Sequence, residues 1–209
     1  MTATLCATLA AEDASTCHIL APGTFHGNEV TAQAGEIWLG LFTEEERCEL
    51  LQVELQIIPA EDHVMDRNGE QTARKVYNCG SVPLLYLFSG DADVFHTGEI
   101  FPLLLQREDV ERGDVFELTA EESLEVREEG LYYLKNGQEQ RICNSYENLY
   151  GEGLSITWAG DLDGDGLTDL IVDDRGHYAI PMGLTVFLSS FAEEDELVHF
   201  VAEFVTVSC

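Results

Sequence analysis

Positive charge is what this chain has least of. Of its 209 residues only ten are Lys or Arg, against 40 Asp and Glu, so the formal charge is −30 with histidine neutral. Lysine occurs only at Lys75 and Lys135. A nucleic-acid backbone or an anionic lipid surface would repel such a chain unless most of its cations gathered in one patch, and no stretch of sequence gathers them. Long apolar runs are missing as well. Charge, Gly or Pro interrupts each within about a dozen positions, short of the roughly 18 residues a membrane helix needs, so no membrane insertion is expected.

The short signatures of several chemistries are also absent. There is no GxSxG elbow for a nucleophilic serine, no GxxxxGK[ST] phosphate cradle and no GxGxxG turn; Gly151-Glu152-Gly153 lacks the continuation. Six histidines, His18, His26, His63, His96, His177 and His199, are scattered without HExxH or HxH spacing, which reads as ordinary surface or hydrogen-bonded histidines. His26, flanked by Gly23 and Gly27, sits on a loop, where function concentrates. Met1 to Ala11 is apolar but has no basic start, so it is not an intact signal peptide; it fits a mature chain whose export signal has been removed.

Six cysteines, at 6, 17, 48, 79, 143 and 209, contain no CxxC pair. Their even count in an acidic, β-rich chain favours disulfides and an extracellular or periplasmic location, with buried cytoplasmic thiols as the alternative. The expected pairings are Cys6 with Cys17, to tether a short N-terminal segment, and Cys48 with Cys79, in neighbouring strand regions. Cys143 with Cys209 follows by elimination.

At 45% hydrophobic the chain can build a core, and its patterning is that of strands. Leu51, Val53, Leu55 and Ile57 alternate with Gln52, Glu54 and Gln56, which describes one half-buried strand. Similar runs lie at 35–42, 73–79, 83–88 and 99–105. Residues 131–134 and 140–143 flank Asn136-Gly137, the dipeptide that supplies both positive φ angles of a type I′ hairpin turn. The acidic stretch 107–130 favours strands at 115–118 and 124–127, and further strands are expected at 154–158, 169–172, 177–189 and 197–208. The fold class is therefore mainly β: antiparallel sheets in a sandwich- or barrel-like arrangement, few or no long helices, and no complete propeller. One domain over 1–209 is expected, or two packed halves with a boundary near 105–130.

One segment carries chemistry. Asp161, Asp163, Asp165 and Asp169 stand at relative positions 1, 3, 5 and 9, with Gly166 at position 6. Ca2+ is a hard cation that takes six to eight oxygens, and alternate side chains of a tightly curled loop converge on one ion where a glycine permits the turn. The expected ligands are the carboxylates of Asp161, Asp163, Asp165 and Asp169, the carbonyl of Leu167, and water. An EF-hand would place a bidentate Glu at position 12, where this chain has Val172, so the loop is not an EF-hand. Strand-like sequence precedes it, and Leu170-Ile171-Val172 follows as a buried strand. Over 158–174 the sequence resembles the calcium loop of FG-GAP and VCBS-type repeats, DxDxDGxxD between two strands. That resemblance implies the cation loop alone, because the family builds propellers from many copies and this chain has one.

Other signals are weaker. Asp91-Ala92-Asp93 has Phe95 where a third ligand would stand, and reads as a polar turn. The acidic run 121–129 reads as a solvated face or a surface for a basic protein partner. The function expected is an exported, calcium-binding, non-enzymatic β protein in which calcium is structural. The alternatives are an acidic inhibitor or immunity-type protein that masks a basic partner, and a calcium-dependent hydrolase using loop carboxylates with His177. The acidity also fits adaptation to high salt.

Overall fold

Short alternating runs punctuated by Gly, Asn and Asp form strands throughout the computed structural model, which describes residues 17–44, 47–78, 80, 81, 83–89, 94–144, 154–174 and 182–206. In the first half these are β1 (Cys17–Leu20), β2 (Gly23–Phe25), β3 (Ile37–Glu44), β4 (Arg47–Glu54), β5 (Gln56–Ala60), β6 (Ala73–Tyr77), β7 (Leu85–Ser89) and β8 (Gly98–Ile100). The second half continues with β9 (Pro102–Val110), β10 (Val115–Glu117), β11 (Glu122–Arg127), β12 (Gly130–Lys135) and β13 (Gln138–Asn144). It closes with β14 (Leu154–Gly160), β15 (Asp169–Asp174), β16 (Met182–Leu188) and β17 (His199–Thr206). No helix occurs among the described residues, and none of the four antiparallel sheets closes into a barrel.

The sheets have the strand orders β1-β7-β3-β4-β8, β2-β6-β5, β10-β11-β12-β13 and β17-β16-β15-β14-β9. The last is apolar on both faces. On one, Trp158, Ile171, Leu184 and Val186 share a core with Leu41, Leu50, Leu85 and Leu87 of the first sheet. On the other, Ile156, Ala159, Leu170 and Val172 share a second core with Leu124, Val126, Leu131 and Tyr133 of the β10–β13 sheet. A strand covered on both sides needs a continuous apolar run in place of alternation, which is why Leu170-Ile171-Val172 sits at the centre of β15.

Two local departures from simple alternation matter. In β14, Ile156 pairs with Val172 while Trp158 pairs with Ile171, so Thr157 is an extra residue and a β-bulge. The bulge sends Ile156 and Trp158, two positions apart, into opposite cores. The expected single strand through Leu51, Val53, Leu55 and Ile57 is in fact two. Cys48 and Leu50 face the core in β4 while Leu51 is exposed. Leu55 then donates its N–H to Glu36 O at 2.9 Å and accepts from Gly35 N at 2.8 Å, and β5 joins a different sheet. The 131–143 hairpin forms as read, with Asn136 at φ 53° and Gly137 at φ 81°.

The expected disulfides at Cys48 and Cys143 do not form: both carry free thiols, whereas Cys6, Cys79 and Cys209 lie outside the described residues. Cys48 is held between Thr43 of β3 and Ile100 of β8, and burial pushes its thiol up against the opposing influence of the Trp158 indole. Burial, with the charge of Asp174, pushes the Cys143 thiol up to about 12. Both therefore stay protonated and unreactive near neutral pH.

Candidate metal centre

The loop 161–168 joins β14 to β15 at the end of the doubly covered sheet, where Gly160 pairs with Asp169. Its turns are made by side chains gripping main-chain N–H groups. Asp161 accepts from Gly164 N at 2.7 Å through Oδ1 and from Gly166 N at 3.0 Å through Oδ2. Asp163 accepts from Asp165 N at 3.2 Å, and Asp165 from Leu167 N at 2.7 Å. Gly164 and Gly166 have φ of 87° and 83°, the left-handed region that costs an L side chain about 1–2 kcal/mol.

This curl brings one carboxylate oxygen each of Asp161, Asp163 and Asp169 within 4.8 Å of one another. Asp169 is completely buried as the first residue of β15. Its Oδ2 accepts from Leu162 N at 2.7 Å and, more weakly, from Asp163 N at 3.4 Å. Its Oδ1 accepts from Ser189 N at 2.8 Å. Ser189 Oγ lies between Asp169 Oδ1 at 2.8 Å and Asp165 Oδ2 at 3.0 Å, and its single proton serves one at a time. Ser190 Oγ donates to Asp163. The connection from β16 to β17 is thereby tied to the loop.

The electrostatics follow from crowding anions in a dry place. Burial pushes the Asp169 carboxyl up to about 7, and the Asp163 charge adds to this against the opposing donors. Burial also raises Asp163, with the charges of Asp165 and Asp161 acting in the same direction. Three hard carboxylate oxygens brought this close form a donor set suited to a cation, and the loop can hold a metal ion through Asp161, Asp163 and Asp169. Asp165 stands beside them, directed toward Ser189 and the Leu167 N–H, and the Leu167 side chain is exposed.

A second layer braces the loop. Thr168 Oγ1 donates to Glu122 Oε2 at 2.6 Å, and Glu122 Oε1 pairs with Lys135 Nζ at 2.8 Å, which joins the loop to β11 and β12. Burial alone would raise Glu122, but Lys135 and Thr168 bring its carboxyl below the ordinary range. Part of the acidic run 121–129 is thus paired within the molecule. Arg127 likewise bridges Glu125 and Glu139.

Sequence reasoning found the aspartates because their spacing is periodic. It missed Ser189 and Ser190, which have no spacing relation to the loop, and Glu122, which is hidden among like charges. His177 and Asp91 to Asp93 lie outside the described residues. His199 bonds Glu196 at 2.6 Å, and His18 stacks on Phe88. His26 is the exception among the histidines, since its Nδ1 meets the buried Asp62. Compared with family models, with curated proteins and with solved structures, the chain matches none, so the likeness to FG-GAP and VCBS-type loops rests on residues 158–174 alone.

Proposed function

We propose that this is a non-catalytic, calcium-stapled β protein in which one Ca2+ on Asp161, Asp163 and Asp169 fastens the β14–β15 loop to the β16–β17 connection. The convergence of the three carboxylates carries the reading. Ca2+ holds oxygens at about 2.3–2.6 Å, so two ligands on opposite sides of one ion stand at most about 5 Å apart, and the oxygens of this trio all lie inside that span, within 4.8 Å of one another. Asp165, the Leu167 carbonyl and water complete the proposed shell. A structural role is favoured over a catalytic one because Asp169 is fully buried and its oxygens are engaged by main-chain and serine donors.

Extracellular calcium modules work at dissociation constants of about 10⁻⁴–10⁻³ M, and an extracellular or periplasmic setting suits a loop of this kind. The free thiols of Cys48 and Cys143 remove one argument for that setting without touching this one. The remaining acidic surface is suited to a basic protein partner, with which association would be fast and salt-sensitive.

Calorimetry on chelator-stripped protein tests the proposal. A one-to-one isotherm is expected, with a melting temperature raised by roughly 3–10 °C at about 10 mM calcium, both lost in Asp161→Asn/Asp163→Asn. The absence of both binding heat and a thermal shift at millimolar calcium would overturn it.

A further inference from the structure

Away from the calcium loop, the turn after β2 and the turn 62–66 enclose an open cleft of about 600 Å3, lined by His26, Asn28, Asp62, Met65, Thr72 and Arg74. Its chemistry is unlike the rest of this acidic surface, because each carboxylate around it is committed to its own turn. Asp62 is buried and accepts from Val64 N and Met65 N, both at 3.0 Å, through Oδ1, while Oδ2 holds His26 Nδ1. Asp66 accepts from Asp62 N and Thr72 N, both at 2.8 Å, and from Thr72 Oγ1 at 2.6 Å. Glu29 accepts from His26 N at 2.9 Å.

Arg74 stands apart from these. Its Nη1 donates to the carbonyl of Val30 at 3.1 Å, with the carbonyl of Ala32 at 3.5 Å, and it makes no ion pair with any described carboxylate. In a chain with four acids per base, a half-buried guanidinium positioned by neutral carbonyls at the wall of a cleft is held away from the most abundant counterion. Guanidinium is the planar, permanently charged group that matches carboxylate and phosphate oxygens, and it keeps donors beyond Nη1 for that purpose. The imidazole across the cleft is fixed in orientation by Asp62.

We propose that this cleft binds the carboxylate or phosphate group of a small ligand, with Arg74 supplying the main charge–charge contact and the Asp62-held imidazole of His26 a second donor. Met65, largely exposed on the rim, offers apolar surface to the remainder of such a ligand. The site is independent of the calcium reading, since no residue is shared.

The test is a titration of the full-length chain in calcium-free buffer with two separate probes, inorganic phosphate and benzoate, following the His26 ring signals by NMR. A saturable shift with a millimolar or lower dissociation constant is expected for at least one probe, and which one responds identifies the oxyanion. Arg74→Gln should weaken binding at least tenfold, and His26→Gln should weaken it less, observed through the Asn28 side-chain amide. Because Arg74 also anchors the segment 30–32, His26→Gln and the unmodified chain keep the test decisive should Arg74→Gln fail to fold. No saturable shift with either probe up to about 20 mM, or binding by a folded Arg74→Gln at undiminished affinity, would overturn the proposal.

Discussion

Asp169 shows at the scale of one residue how a site and a stability cost coincide. Its carboxyl ionises near 3.8 in the unfolded chain and at about 7 in the buried, metal-free site. Between those values the native state binds the proton that the unfolded state has released, so this group makes the metal-free protein less stable as pH rises through the window. The full penalty, on the order of 4 kcal/mol, is reached above pH 7. Asp163 and Asp174, also raised by burial, act with the same sign. The lowered groups Asp62, Asp66 and Glu122 lose their contribution only when pH falls through their depressed values, below the range at issue. Chelator-treated protein should therefore melt at lower temperature at pH 7.5 than at pH 5.5. Calcium should flatten that slope by replacing the proton, and Asp169→Asn should flatten it without calcium. An unchanged slope in Asp169→Asn would place the pH dependence elsewhere. The aspartates were legible in the sequence because a curled loop needs its ligands at alternate positions. Ser189 and Ser190 were not, because nothing local requires a serine where the fold delivers one, and the turn that Asp62 caps gives no sign of the His26 imidazole it meets 36 residues away.

Between elements, the brace Thr168–Glu122–Lys135 determines how firmly the 161–168 loop sits on the neighbouring sheet. Glu122→Ala removes the acceptor of Thr168 and leaves the Lys135 ammonium, only one-fifth exposed, without its partner. A hydrogen bond to a charged group is worth about 1.5–3 kcal/mol, and the denaturant midpoint should fall accordingly. Glu122→Gln should recover part of the loss through Thr168, and a surface pair of no consequence would show neither effect. The β12–β13 turn offers a simpler check. Gly137→Ala forces a side chain onto φ 81° and should cost about 1–2 kcal/mol, although the added Cβ meets nothing within 4 Å. Most strands were readable because alternation and turn chemistry are local. The errors fell where tertiary structure overrides period two. The bulge at Thr157 and the tie between Leu55 and the turn at Gly35 and Glu36 each depend on a partner segment that the local sequence does not announce. The disulfides expected at Cys48 and Cys143 did not form, the first having rested on neighbouring strand regions alone and the second on elimination.

For the whole molecule the question is whether calcium acts at one place or as a general neutraliser of a −30 chain. Compaction brings those charges together, so screening by added salt should itself stabilise the fold. The Debye length falls from about 10 Å at 0.1 M to about 3 Å at 1 M, and a diffuse benefit from divalent ions would disappear over that range. A bound ion behaves differently: its ligands are within a few ångströms, one of them is fully buried, and salt screens such contacts far less. Melting curves in chelator should thus rise as sodium chloride goes from about 0.02 to 0.5 M. The further increment from calcium should keep most of its size at the upper salt, and magnesium should give a smaller one, because it demands shorter, octahedral contacts and holds its water. Equal increments from the two ions that both vanish at 0.5 M salt would assign the effect to the acidic surface as a whole. Retention of the calcium increment, and its loss in Asp161→Asn/Asp163→Asn, would assign it to the one corner where β14 turns into β15.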